Sequence, residues 1–230
     1  MAFLDRFDAV ILDLNGTLAE GFDRFGSEHD YMATYLRLGG AQLSANALRH
    51  LLDRLMAELL ARYDAGPADP FPQLSTLLTA LAELPSAELR LLEELVAEHE
   101  MGTISAARVE LVGRLGQTHR LGMISDLWAP SGRYREYLGT LGLTRIFGSV
   151  VFSCEQGAVK PSPRLFQRSL AELGVTPQQA VFVGDQEKRD VIGAANCGIA
   201  TILIDAAGRG PRMSQPDRVI PSLEALADLA

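Results

Sequence analysis

Cysteine is scarce in this 230-residue chain, with Cys154 and Cys197 the only two. Two are too few for a disulfide framework, and they read as buried thiols in a reducing compartment. Long apolar runs are missing as well. No stretch approaches the about 18 uncharged residues needed to cross a bilayer. Residues 1–10 carry Asp5, Arg6 and Asp8 where a secretory signal would have an apolar centre. The formal net charge is -8, and no run of like charge stands out. Nucleic acid and an anionic membrane surface are met by basic faces, so neither is an expected partner. The expectation is a cytoplasmic protein, as a monomer or a homodimer.

What is present is an ordinary globular balance, 47% hydrophobic and 22% charged, ample for a buried core. Two textures divide it. Ala9-Val10-Ile11-Leu12 is an apolar run that stops at Asp13 and Gly16. Similar runs recur at 121–124, 150–152, 180–183 and 201–204, with helical patterns between them. Runs buried on both faces suit a parallel sheet, and the alternation predicts a doubly wound α/β fold. One intervening helix is legible in detail. After Lys160-Pro161, Ser162 can cap it, Pro163 can occupy its first turn, and Gly174 can end it. A second helix is expected from Lys188 to Asn196, ended by Gly198.

The other texture, residues 19–101, repeats its apolar residues at helical spacing. Leu48, Leu51, Leu52, Leu55 and Leu59 form one stripe, and Leu74, Leu77, Leu78 and Leu81 form another. The breaker-rich segment 65–70 separates two helix pairs. The reading is an all-helical insertion after the first strand, a small bundle in which Phe71 and Leu92 serve packing.

Every short acidic or polar signal falls at the carboxyl end of an expected strand, where an open parallel sheet forms its binding crevice. These signals are Asp13-Leu14-Asn15-Gly16-Thr17, Ser125-Asp126, Lys160-Pro161, and Gly184-Asp185 with Asp190 beyond. Together they make a phosphate site. Asp13 can attack phosphorus and split one hard displacement into two easier ones. Amides around Leu14, Asn15 and Gly16 can form an anion nest. Ser125 offers a hydroxyl, Lys160 a point charge, and Asp13 and Asp185 hard oxygens for Mg²⁺. Taken singly, each is an ordinary turn, cap or solvated charge. Their joint order and placement on four strand ends carry the reading.

As a set, these residues resemble the four motifs of the haloacid dehalogenase superfamily, over about residues 5–20 and 103–205. The helical insertion resembles the cap of that superfamily's helical-cap subgroup. The resemblance implies a Rossmannoid core over 1–18 and 102–230, a cap over 19–101, and an aspartyl-phosphate intermediate at Asp13. It also implies Mg²⁺ held by Asp13, the Asn15 carbonyl and Asp185, with Asp190 behind them. Catalytic roles fall on Asp13, Asn15 and Lys160, and phosphate contacts on Leu14, Asn15, Gly16, Ser125, Asp126 and Lys160.

Asn15 departs from the pattern. Superfamily phosphatases usually carry there a second Asp that protonates the leaving group and then activates water, and a carboxamide cannot exchange that proton near neutral pH. The expected activity is a slow Mg²⁺-dependent phosphohydrolase acting on a small phosphorylated metabolite. The alternative is a catalytically weak or inactive phosphate-ligand binding or regulatory protein of the same fold. A haloacid dehalogenase is the third reading, and Asp185 and Asp190 argue against it because dehalogenation needs no Mg²⁺. Two lesser departures are Asp126 where Asn is common and Gln186 where Ser or Thr is common. Substrate recognition is thinly marked. The segment 24–30 is expected near the entrance, Arg24, His29, His50, His99 and His119 read as surface residues, and Trp128 reads as packing.

Overall fold

The computed structural model describes residues 2–66 and 70–229. Six strands form one parallel sheet: β1 (Ala9–Leu12), β2 (Arg120–Ser125), β3 (Phe147–Phe152), β4 (Ala180–Gly184), β5 (Ala200–Ile204) and β6 (Arg218–Ile220). The spatial order is β3-β2-β1-β4-β5-β6, which puts the first strand in the middle. The α/β fold expected from the apolar runs is the one observed. β6 went unseen in the sequence because it is a three-residue edge strand with two exposed residues, too polar to register as an apolar run.

The sheet is covered on both faces because side chains alternate along each strand. Val10 and Leu12 of β1 join Leu121, Met123, Val181 and Val183 in one core. Ala9 and Ile11 join Ile124, Phe182 and the buried residues Leu165, Phe166, Leu170 and Leu173 of a helix on the opposite face. That helix comes close because β2 carries Gly122, where a Cβ would lie 2.9 Å from Ser169 Oγ.

Nine α-helices complete the described chain. Four lie between β1 and β2: α1 (Tyr31–Arg37), α2 (Ala45–Asp64), α3 (Leu74–Leu81) and α4 (Ser86–Glu100). The expected stripes are their shared core. Leu48, Leu51, Leu52, Leu55 and Leu59 pack with Leu74, Leu77, Leu78, Phe71 and Leu92. Of the breaker-rich segment 65–70, Pro67, Ala68 and Asp69 lie outside the described residues. The remaining helices are α5 (Ala106–Leu115), α6 (Gly132–Thr140), α7 (Ser153–Gln156), α8 (Pro163–Leu173) and α9 (Ile192–Asn196).

Two local expectations need correction. Ser162 precedes α8, and Pro163 and left-handed Gly174 sit as expected, but the Ser162 side chain makes no capping hydrogen bond. The helix expected over 188–196 is two pieces. A wide π-type turn, Glu187–Val191, comes first and α9 follows. The extra residue in that turn is where Asp190 folds inward, its Oδ2 accepting from the Gln186 amide at 2.9 Å.

The segments entering and leaving the four helices run side by side. Glu20 and Thr103 exchange backbone hydrogen bonds of 2.9 and 2.8 Å. At the end of α4, buried Glu100 accepts from the amides of Trp128 (2.6 Å) and Ala129 (3.2 Å) and from the Tyr134 hydroxyl (2.8 Å). This carboxyl ties the helical layer to the loop after β2.

Candidate active site

Register brings the site together. Leu12 is paired with Met123 on one side and Val183 on the other, so Asp13 emerges between the ends of β2 and β4. Its amide donates to Val183 O at 2.9 Å, which fixes the residue in line with the sheet. Lys160 arrives from the loop after β3 and α7, its peptide with Pro161 in the cis form. The Lys160 ammonium donates to Asp13 Oδ1 and to Asp190 Oδ1, both at 2.6 Å. All three side chains are buried.

The electrostatics follow from crowding. Carboxylate oxygens of Asp13, Asp185 and Asp190 lie within 4.8 Å of one another, against one ammonium. Burial raises the Asp13 carboxyl well above its ordinary range; Lys160 opposes this while Asp190 and Asp185 add to it. Burial also pushes Asp185 up to about 7, with the Asp190 charge reinforcing it. Burial works against a charged Lys160, but Asp13, Asp190 and Asp126 overcome it and hold the ammonium above the usual lysine range. The cluster therefore carries an excess of negative charge that a cation would relieve.

The donor set fits Mg²⁺. The ion takes hard oxygen ligands and combines one or two carboxylates with water and substrate phosphate. Asp185 Oδ1 is buried with no hydrogen-bond partner, as is Asn15 Oδ1. An unpaired buried carboxylate oxygen is costly unless something of opposite charge meets it. Gly16 leaves the necessary room. It has φ +89, and a Cβ there would fall 2.5 Å from Asp185 Oδ2.

The other expected site residues are placed as follows. Ser125 is buried at the cleft, its hydroxyl making only a 3.4 Å contact with Asp126 O. No described residue takes the amide hydrogens of Leu14 and Asn15. Gly16 differs from expectation, because its amide donates to Ala19 O at 2.9 Å as the loop closes on itself. Asp126 also serves another end. Its carboxylate accepts from the Lys160 amide (2.9 Å) and the Tyr63 hydroxyl (3.0 Å), so it positions the lysine segment rather than facing an anion.

Asp13, Asn15, Ser125, Asp126, Lys160 and Gln186 line one cleft together with Phe22, Asp23, Tyr63, Glu100 and Trp128. Phe22, Asp23, Tyr63 and Glu100 were not foreseen. They come from turns and helix ends far apart in sequence, and no spacing rule marks them. Arg189 was also missed. It lies over the Tyr63 ring and donates to Lys160 O (2.5 Å) and Tyr63 O (2.6 Å), linking α2 to the lysine loop.

Several surface assignments change. His99 is buried, bonded to Thr34 Oγ1 (3.1 Å) and Arg24 O (3.0 Å), and packed edge-on against Tyr31. The Arg24 guanidinium is consumed by the carbonyls of Gly21, Met101 and Glu98. Trp128 both packs, near Phe25 and Tyr63, and lines the cleft. The cysteines are free and half-buried, and burial pushes the Cys154 thiol up to about 12.

The model of the haloacid dehalogenase-like hydrolases matches residues 7–198, and the chain belongs to that family. Among curated relatives, a phosphoserine phosphatase of Thermus thermophilus is 41% identical over 83 residues, 36% of this chain and 32% of that protein. A glyceraldehyde 3-phosphate phosphatase of Methanothermobacter thermautotrophicus is 34% identical over 96 residues, 42% of each chain. The matched stretches thus span about a third to two-fifths of those relatives' lengths. Of solved structures, a 2-haloacid dehalogenase from Pseudomonas syringae superposes with TM-score 0.68 at 22% identity, covering 97% of each chain. A phosphatase of the family from Thermococcus onnurineus gives 0.65 at 24%, covering 96% of this chain and 97% of that one. At these identities the likeness is one of fold.

Proposed function

We propose that the protein is a Mg²⁺-dependent phosphohydrolase that cleaves a small phosphorylated metabolite through an aspartyl-phosphate at Asp13. The observation that carries this reading is the Asp13 carboxylate at the head of the cleft, held by Lys160 beside the partnerless oxygen of Asp185. The names of the phosphatase relatives support the same reaction class. A cavity of ≈ 70 Å³ suits a phosphoryl group with a small remainder, since one water needs about 10–15 Å³ by this measure. Residues 19–101 act as the cap over that cleft, and the setting is cytoplasmic.

In this reading Asp13 attacks phosphorus, and Lys160 keeps the nucleophile oriented while offering positive charge to the equatorial oxygens. The amides of Leu14 and Asn15 and the Ser125 hydroxyl donate hydrogen bonds to the remaining phosphoryl oxygens. Asp13, the Asn15 carbonyl and Asp185 would hold Mg²⁺, with Asp190 fixing Lys160 behind them. The bound ion would supply charge neutralisation between an anionic nucleophile and an anionic ester. Asn15 removes the proton-transfer group from its usual place. That term is worth roughly 10²–10⁴-fold, so esters whose leaving groups need little protonation react best.

The test is phosphate release from a panel of small phosphate esters with and without Mg²⁺. Release should stop with a chelator and in Asp13→Asn. Wild-type release no greater than that of Asp13→Asn would favour a phosphate-binding protein without turnover.

A further inference from the structure

The cleft is lined by four carboxyl groups, those of Asp13, Asp23, Glu100 and Asp126. Three are committed. Asp13 takes the Lys160 ammonium, Asp126 takes the Tyr63 hydroxyl and the Lys160 amide, and Glu100 takes two amides and the Tyr134 hydroxyl. Asp23 alone receives no hydrogen bond from any described residue on its carboxylate. We propose that Asp23 is the acid/base this chain uses in place of the group missing at Asn15, giving the leaving oxygen its proton and then taking one from the attacking water. The inference rests on the phosphatase reading.

The backbone around Asp23 is built to put this residue there. Its φ is +51, the one positive φ among the described non-glycine residues. Asp and Asn tolerate that region better than other side chains, but it remains uncommon and is kept where surrounding contacts enforce it. Here they do. The Asp23 amide donates to Glu100 O at 3.1 Å, and the Arg24 amide donates to His99 O at 2.7 Å. The Arg24 guanidinium then clamps the turn through Gly21 O (2.8 Å), Met101 O (2.8 Å) and Glu98 O (2.5 Å). The turn is thus fastened to the end of α4 while its carboxyl is left free at the cleft.

Access and acidity suit the task. Asp23 as a residue is open to water, while burial of its carboxyl at the cleft raises it to about 6, close to neutral operation. Glu100 faces it from α4, and Asp13, Asp126, Lys160 and Tyr63 are the other titratable groups of the cleft.

The two half-reactions balance. First, an Asp13 oxygen bonds to phosphorus as the ester P–O bond breaks, and the departing alkoxide takes the proton of the Asp23 carboxylic acid. Second, the Asp23 carboxylate takes a proton from water as that water's oxygen bonds to phosphorus and the P–O bond to Asp13 breaks. Inorganic phosphate leaves, with Asp13 restored as carboxylate and Asp23 again protonated.

The experiment compares glycerol phosphate, whose alkoxide needs a proton, with para-nitrophenyl phosphate, whose leaving group does not. Asp23→Asn keeps a residue that tolerates positive φ. It should lower kcat/KM on glycerol phosphate by about 10²-fold or more with little change in kcat/KM on the aryl ester, while kcat falls on both because they share the water step. In the wild type the alkyl-to-aryl ratio of kcat/KM should fall as pH rises through about 6, because the acid form is lost. In Asp23→Asn that ratio should be flat, and adding Asn15→Asp to it should restore glycerol phosphate turnover. Equal loss of kcat/KM on both esters, a change in KM alone, an unchanged ratio, or no rescue would overturn the assignment. Wild-type aryl release that does not depend on Asp13 would instead overturn the phosphatase reading, and this inference with it.

Discussion

Gly16 shows how much one residue decides at this site. Its φ of +89 belongs to the region that penalises a side chain, and the space its Cβ would need is filled by Asp185. Gly16→Ala should therefore cost more than the about 0.4–1 kcal/mol that such a change yields at a compatible site, with the opposite sign. It should also displace Asp185 and weaken Mg²⁺-dependent turnover. Thermal melting and a Mg²⁺ titration of the activity check both halves; an unchanged metal response would mean that Asp185 does not act there. Asn15 is the complementary case. That a carboxamide stands two residues after Asp13 was readable from the sequence. The partnerless Oδ1 and the closed Gly16 amide were not, because they depend on how the loop folds back onto Ala19.

Among the elements, the joint between the four-helix layer and the sheet depends on one buried acid. Burial pushes Glu100 up to about 8, while the Trp128, Tyr134 and Ala129 donors pull the other way and the Asp23 charge adds to the rise. An unfolded glutamate titrates near about 4.3. Below that both states hold the proton. Between there and about 8 the unfolded chain gives it up while the folded chain keeps it, so rising pH erodes stability across this window. Glu100→Gln removes the titration. The melting temperature of the variant minus that of the wild type should increase from about pH 5 to about pH 8, and parallel curves would contradict the account. The apolar stripes of α2 and α3 revealed the helical layer because burial on one face imposes a period. Glu100, Asp23 and Tyr63 carried no such signal, since their partners come from other elements.

For the molecule as a whole, strand order explains why a scattered sequence makes one site. β1 lies between β2 and β4, so the residues just beyond three neighbouring strand ends converge, and Lys160 closes the group from the loop beyond β3. Strand-end residues were legible because both-face burial makes apolar runs that stop abruptly. The cleft wall and the buried His99 were not, because they depend on docking the helical layer onto the sheet. Among the described residues no helix is long and apolar enough to cross a membrane. The most direct test of the central claim is to mix the Mg²⁺-loaded protein with para-nitrophenyl phosphate, quench in acid within the first turnovers, and map peptides by mass. The account predicts one phosphoryl group on the peptide bearing Asp13, absent in Asp13→Asn. Turnover with no phosphorylated peptide, or with the phosphoryl group on another residue, would contradict it.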